Sequence, residues 1–268
     1  MEVVKPVKRN VLLNPGPATT SDAVKYAQVI PDICPREQEF VDIMTRVRKD
    51  LVKVVHGDPE KYTSVIFTGS GTIVQDVLVN SLVPEGKKIL VVNNGAYAAR
   101  MVEIAQYYNI DCVDIQSSTT GLPDLAEVKK AIEEDKDIAV VAAVHHETGT
   151  GVLNPVKEIG RIAHDNDCIF IVDTISTYGL RPLDIEEENI DFLMSSAQKG
   201  LAAMTGASWT VGNIKAIEKS KTFPKRSYYC NLFMQYDFFN RVGEMHFTPP
   251  VQTIYALEQA LKEYFEEG

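Results

Sequence analysis

Cysteine is scarce in this 268-residue chain: Cys34, Cys112, Cys168 and Cys230 stand far apart and form no C-x-x-C pair. That spacing excludes a disulfide framework and a thiolate zinc cluster, and points to reduced thiols in a cytoplasmic protein. Cys112 and Cys168 fall in apolar runs, where a buried thiol behaves as a small hydrophobe. No apolar run is long enough to span a bilayer, and the opening Met1-Glu2-Val3-Val4-Lys5 lacks the apolar core of a secretory signal. Basic charge is also short. With 27 Lys and Arg against 37 Asp and Glu, the net charge is −10, which argues against nucleic acid or an anionic membrane as a partner. The densest basic run, Lys215 to Lys225, reads as a solvated helix face. Internal repeats and low-complexity linkers are missing too.

What is present is enough apolar residue, 45% of the chain, to bury a large core. Short apolar runs recur at Ser64–Phe67, Lys88–Val92, Asp111–Ile115, Ile138–Val144, Cys168–Val172, Ile190–Met194 and Ala207–Val211. Amphipathic stretches separate them, at Ile73–Leu82, Ala98–Tyr108, Leu125–Glu134 and Val156–Asn166. The alternation predicts an α/β fold: a mostly parallel, seven-stranded mixed sheet between helices. Residues 1–35 carry Pro6, Pro15, Pro17, Pro31 and Pro35 and read as an extended arm with turns, leaving 36–268 as the major domain. After Pro249-Pro250, the stretch Val251–Glu267 reads as a helix started by the proline pair.

Three groups within this frame carry chemistry. Gly69-Ser70-Gly71-Thr72 follows a strand and opens a helix; it is either an ordinary tight turn or an anion cradle of backbone N–H groups and hydroxyls. Asp173 ends the apolar run Ile169–Val172, where open α/β sheets place ligands. It is either a helix cap or an anion for a ligand. Lys199, in Ser195-Ser196-Ala197-Gln198-Lys199, follows another strand, as a surface lysine or as an amine for covalent work. Together the three match the needs of pyridoxal 5′-phosphate (PLP): a cradle for its phosphate, an anion for its ring nitrogen, an amine for its aldehyde. Ser196 and Gln198 flank the lysine as further phosphate donors. Thr148 in His145-His146-Glu147-Thr148-Gly149-Thr150-Gly151 is a candidate for the phenolic O3′. Tyr97 is a candidate to stack on the ring, or is simply core packing. The paired histidines bring no third ligand at metal spacing, so no metal site is expected.

Taken in order, these motifs resemble the fold-type-I, class-V PLP-dependent aminotransferases. The residues carrying the resemblance run from Leu12-Leu13-Asn14-Pro15-Gly16-Pro17 through Gly69–Thr72, Asn94-Gly95-Ala96-Tyr97, the His146–Pro155 run, Ile171-Val172-Asp173, Ser195–Lys199 and His246-Phe247-Thr248-Pro249-Pro250. The branch most resembled is that of the 2-aminoethylphosphonate–pyruvate transaminases, with alanine/serine–glyoxylate aminotransferases and a truncated, non-catalytic PLP-binding homologue as alternatives. The resemblance implies Lys199 as the Schiff-base lysine and Asp173 as the pyridinium partner. Ser70, Gly71, Thr72 and Gln198 would hold the phosphate, Thr148 would meet O3′, and Tyr97 and Ile175 would cover the two ring faces. It further implies an amino donor and a 2-oxo acid as substrates. A homodimer with the site at its interface follows as well, Thr248 of the second copy adding a phosphate ligand. The family pattern has Thr or Ser where this chain has Gly149, and the run Gly200-Leu201-Ala202-Ala203-Met204-Thr205-Gly206 differs from the glutamine- and proline-containing form of the phosphonate branch and looks closer to other class-V members. The family pattern also continues past the last helix into a small C-terminal domain whose arginine binds the substrate's acid group, a domain expected to be absent here.

Overall fold

A computed structural model describes residues 10–268; Pro6 and the Met1–Lys5 stretch lie outside the described residues. In chain order the elements are α1 (Asp22–Tyr26), α2 (Gln38–Val54), β1 (Tyr62–Thr68), α3 (Gly71–Leu82), β2 (Lys88–Asn93), α4 (Ala96–Tyr107), β3 (Cys112–Gln116), α5 (Leu125–Glu134) and β4 (Ile138–Val144). Then come β5 (His146–Glu147), β6 (Val152–Leu153), α6 (Val156–His164), β7 (Ile169–Asp173), β8 (Phe192–Ser196), β9 (Ala207–Asn213), α7 (Ile214–Ser220), α8 (Leu232–Val242) and α9 (Val251–Glu267).

Seven strands form one sheet in the order β1-β9-β8-β7-β4-β2-β3. Neighbours from β8 to β3 are parallel, and β9 runs antiparallel to both β1 and β8. Each of the seven apolar runs lands on a strand of this sheet, within about two residues at each end. Central strands are apolar on both faces because helices cover both: Val140 to Ala143 of β4 are fully buried. Helix α2 meets the sheet side with a stripe at helical spacing, Phe40, Ile43, Met44, Val47 and Leu51, all buried. Nearly all of α3 is buried, including the polar Gln75 and Asn80.

The arm departs from the expectation of extended chain with turns. Its prolines leave 18–30 free, and Asp22–Tyr26 there forms α1, whose N-cap Ser21 accepts from Val24 N–H at 3.0 Å and donates to Glu263 Oε1 of α9 at 2.8 Å. A two-residue ribbon, β5 with β6, also rises beside the main sheet and carries Glu147 next to Thr148.

The strand order reverses between β2 and β4: the chain moves outward from β2 to β3, then returns to the other side of β2 and continues through β4, β7 and β8. A crevice outside the carboxyl ends of these strands is where such sheets bind ligands. Charge at the opposite, amino-terminal rim is paired: Lys61 with Glu186 at 2.6 Å, Lys88 with Asp135 at 2.7 Å, Lys87 with Asp137 at 2.8 Å, and His164 with Asp191 at 2.9 Å.

Candidate active site

Asp173 is the last residue of β7, in register with Val144 of β4 and Met194 of β8, and only 3% exposed. Its Oδ1 accepts the Ile175 N–H at 2.8 Å and its Oδ2 accepts Gln75 Nε2 at 2.7 Å. Burial pushes its carboxyl up to about 6, against the pull of those two donors; nearby Glu147 pushes the same way as burial, and Arg100 opposes it. The cap reading of Asp173 is seen in the structure. One oxygen caps the following turn, and the other faces the α3 side chain.

Gln75 is fully buried, and the same Nε2 reaches the Tyr97 carbonyl at 3.2 Å. That ties Asp173 to the first turn of α4. Glu147, also fully buried, accepts the N–H groups of Tyr97 and Ala98 at 3.1 and 3.3 Å, at the positive end of the helix. Gly95 is required there, since a Cβ would overlap the Glu147 side chain. The Arg100 guanidinium lies 5.0 Å from the centre of the Tyr97 ring and donates to Thr72 Oγ1 at 3.2 Å.

The turn before α3 is open at its N-terminus. Ser70 sits at the cap position without a side-chain capping bond, and Ser70 and Thr72 are exposed. Gly69 adopts φ +156°, and its N–H donates to Gly206 O at 3.0 Å. Gly71 is pressed against Ile175: a Cβ would come within 2.6 Å of Ile175 Cδ1. From the other side, Ser208 Oγ lies 3.0 Å from both Gly69 O and Ser196 Oγ, and Ser196 donates to Gln198 Oε1 at 2.6 Å. Among the described residues this leaves the Gln198 amide nitrogen as the free donor of that side chain.

Lys199 is half-buried beneath the arm. Its Nζ donates to Pro15 O at 3.2 Å, and Ala18 N–H donates to Gln198 O at 2.8 Å. Gly16 has φ +123°, and a Cβ on it would overlap Lys199 Cδ. Thr148 lies half-buried in the β5–β6 turn. The contacts thus bring Ser70, Gly71, Thr72, Tyr97, Asp173, Ile175, Gln198 and Lys199 into one neighbourhood. Thr248 is exposed ahead of α9, and no hydrogen bond among the described residues ties it to that group.

Sequence reasoning passed over Pro15, Gly16, Gln75, Arg100 and Glu147 as site residues. Gln75 did leave a signal: it is the one polar member of the apolar stripe Gln75, Val79, Leu82. The two histidines find hydroxyl partners: His145 Nδ1 lies 2.9 Å from Thr177 Oγ1, and His146 Nδ1 lies 3.1 Å from Ser176 Oγ. Burial pushes the His145 imidazole down to about 4. Among the described residues no cluster of three or more metal-ligating side chains occurs, and no helix is long and apolar enough to cross a membrane.

Residues 22–268 match the family described as Aminotransferase class-V. The chain is 37% identical over 259 residues to a bifunctional phosphonoacetaldehyde hydrolase/aminoethylphosphonate transaminase of Clostridioides difficile, spanning 96% of this chain and 40% of that protein. It is 35% identical over 257 residues to a 2-aminoethylphosphonate–pyruvate transaminase of Lysinibacillus sphaericus, spanning 96% of this chain and 70% of the relative. Among solved structures, an alanine–glyoxylate aminotransferase from Nostoc superposes with a TM-score of 0.90 at 26% identity, covering 100% of this chain and 71% of that one.

Proposed function

Because the chain belongs to the class-V aminotransferase family, we propose that it moves the amino group of 2-aminoethylphosphonate to pyruvate, giving phosphonoacetaldehyde and alanine. The observation that carries this reading is the buried Asp173 carboxylate, held only by neutral donors, in one neighbourhood with Lys199 and the open N-terminus of α3. Identity of 35% to the transaminase of L. sphaericus directs the choice of substrates.

The family and its fold use pyridoxal phosphate, which when bound accepts the donor's amino group and delocalises the electron pair left on the carbon. The residues present fit that group. An uncompensated buried anion suits a protonated ring nitrogen, and a cap position with an unused hydroxyl suits a phosphate. In this reading Ser70, Gly71, Thr72 and Gln198 hold the phosphate, Asp173 holds the ring nitrogen's proton, Thr148 bonds O3′, and Tyr97 and Ile175 enclose the ring. Lys199 Nζ anchors the cofactor and moves the proton at the carbon bearing the donor's amino group. Of the arm, residues 1–35, the segment around Pro15 and Gly16 lies against the lysine, and 36–268 form the cofactor domain.

Two finer features belong to the same proposal. A second copy completes the site, with its Thr248 adding a phosphate ligand. The exposure of Thr248 supports this, as does the aromatic group beside it, where Tyr229 stacks on Phe247 at 4.6 Å. A reducing, cytoplasmic setting accords with four free cysteines.

The test is a donor screen with aminoethylphosphonate, alanine and serine against pyruvate and glyoxylate, on this chain and its Lys199→Ala variant. Lys199→Ala should abolish transfer, and normal turnover without that amine would contradict the reading. A preference for alanine or serine with glyoxylate would instead favour the second reading, which the 0.90 superposition on the Nostoc enzyme supports. Cofactor retained after borohydride treatment, with no donor transaminated, would favour a non-catalytic PLP-binding homologue.

A further inference from the structure

We propose that Gln75 is a positioning residue that fixes the orientation of the Asp173 carboxylate and keeps its negative charge available to the cofactor ring. The inference rests on the reading that Asp173 meets the ring nitrogen.

A glutamine on the buried face of α3, with Val74, Val77, Leu78 and Val79 all fully buried around it, is costly unless its amide is used. Here the two N–H groups of one Nε2 serve two acceptors, Asp173 Oδ2 at 2.7 Å and Tyr97 O at 3.2 Å. The carbonyl Oε1 of the same side chain is buried and has no partner among the described residues. Turning the amide over would satisfy neither acceptor and would set Oε1 against a carboxylate and a carbonyl. Electrostatics therefore selects the orientation seen, and the unpaired oxygen is its consequence. Asp173 and Tyr97 are the residues proposed to touch the ring edge and the ring face, so one side chain sets both relative to each other.

The remaining charged groups facing Asp173 are Glu147 on β5 and Arg100 on α4, of opposite sign, while α3 contributes only the neutral Gln75. The donor that lowers the proton affinity of Asp173 from the α3 side is therefore this amide. Without it the carboxylate becomes the stronger base. The proton shared with the ring would then rest on Asp173, and the ring nitrogen would lose its positive charge. A neutral ring would withdraw electrons less, so the bound cofactor would give up its proton at higher pH.

The experiment compares the PLP-loaded protein with its Gln75→Leu, Gln75→Met and Asp173→Asn variants, reading steady-state kinetics and the pH titration of the bound cofactor's visible absorbance. Gln75→Leu should lower kcat about tenfold with KM within about twofold, and move the absorbance midpoint to higher pH. Gln75→Met, unbranched and close in length, carries the same expectation should the leucine variant fail to fold. A merely structural role would reduce thermal stability and leave the midpoint in place, which overturns the proposal. If Asp173→Asn also leaves the midpoint unmoved, the assignment of Asp173 to the ring is what fails. If Asp173→Asn moves it and neither Gln75 variant does, the Gln75 inference alone fails.

Discussion

At the rim of the sheet where β1, β2, β4 and β8 begin, acids and bases meet in water, as in Lys61–Glu186 and Lys88–Asp135. At the rim where β4, β7 and β8 end, Asp173, Glu147, Arg100 and Lys199 gather without one ion pair between them. The acids there are buried and take hydrogen bonds from amides: Gln75 and the Ile175 N–H for Asp173, the first turn of α4 for Glu147. Pairing charge in solvent contributes little and closes a surface. Burying charge among neutral donors costs stability and leaves a field for a ligand to complete. The same sheet thus has one rim built to be inert and one built to receive something.

The comparison breaks most completely at Asp173. Asp173→Asn should cut transamination by at least about a hundredfold, because the anion proposed to meet the ring is lost. The same change should stabilise the cofactor-free protein. The wild-type carboxyl rises from 3.8 unfolded to about 6 folded, so its contribution is complete below pH 3.8 and is lost as pH climbs through 6. Its removal is worth at most about 3 kcal/mol above that range. Denaturant melts at pH 4 and pH 8, with and without the substitution, check both size and sign.

Comparable in its effect on stability, and opposite in sign, is His145. Its imidazole falls from 6.5 unfolded to about 4 folded, so stability is full above 6.5 and drains as pH falls towards 4. Asp173 and His145 therefore oppose each other between about pH 4 and 6, and the wild-type profile should be nearly flat there. His145→Gln should tilt it downward with rising pH and Asp173→Asn upward, each by about 1.4 kcal/mol per pH unit. Parallel profiles for the two variants would refute the pairing.

Next comes the arm. Gly16→Ala combines an unfavourable backbone, about 1–2 kcal/mol, with a methyl group pressed into Lys199. It should slow the attachment of PLP to the lysine about tenfold while leaving the melting temperature of the main domain unchanged. At the inert rim, Lys88→Ala should leave both activity and melting temperature within experimental scatter, at low salt and high salt alike. A clear loss there would erase the contrast between the two rims.

How much was legible follows from the range of each signal. Continuous apolar runs and period-3.6 patterns are local, so Ile138–Val144 and Leu125–Glu134 could be read to the residue. Lys199, Asp173 and Gly69–Thr72 stood out because each lies where a strand ends, and strand ends on one rim converge. Gln75, Glu147 and Gly16 were passed over because their partners lie 98, 50 and 183 residues away, at Asp173, Tyr97 and Lys199. A buried glutamine and a buried glutamate look, in one dimension, like helix filler and a loop acid.

The order of residues alone determined the α/β layering and the family, and singled out the three groups proposed for the site, since each depends on neighbours along the chain. Tertiary structure alone decided that Asp173 keeps a raised, amide-held carboxylate, that Glu147 pins the helix of Tyr97, and that the arm lies across Lys199. Burial and hydrogen-bond partners are properties of distance in space, and only the closed sheet with its helices brings those groups within 3 Å or so of one another.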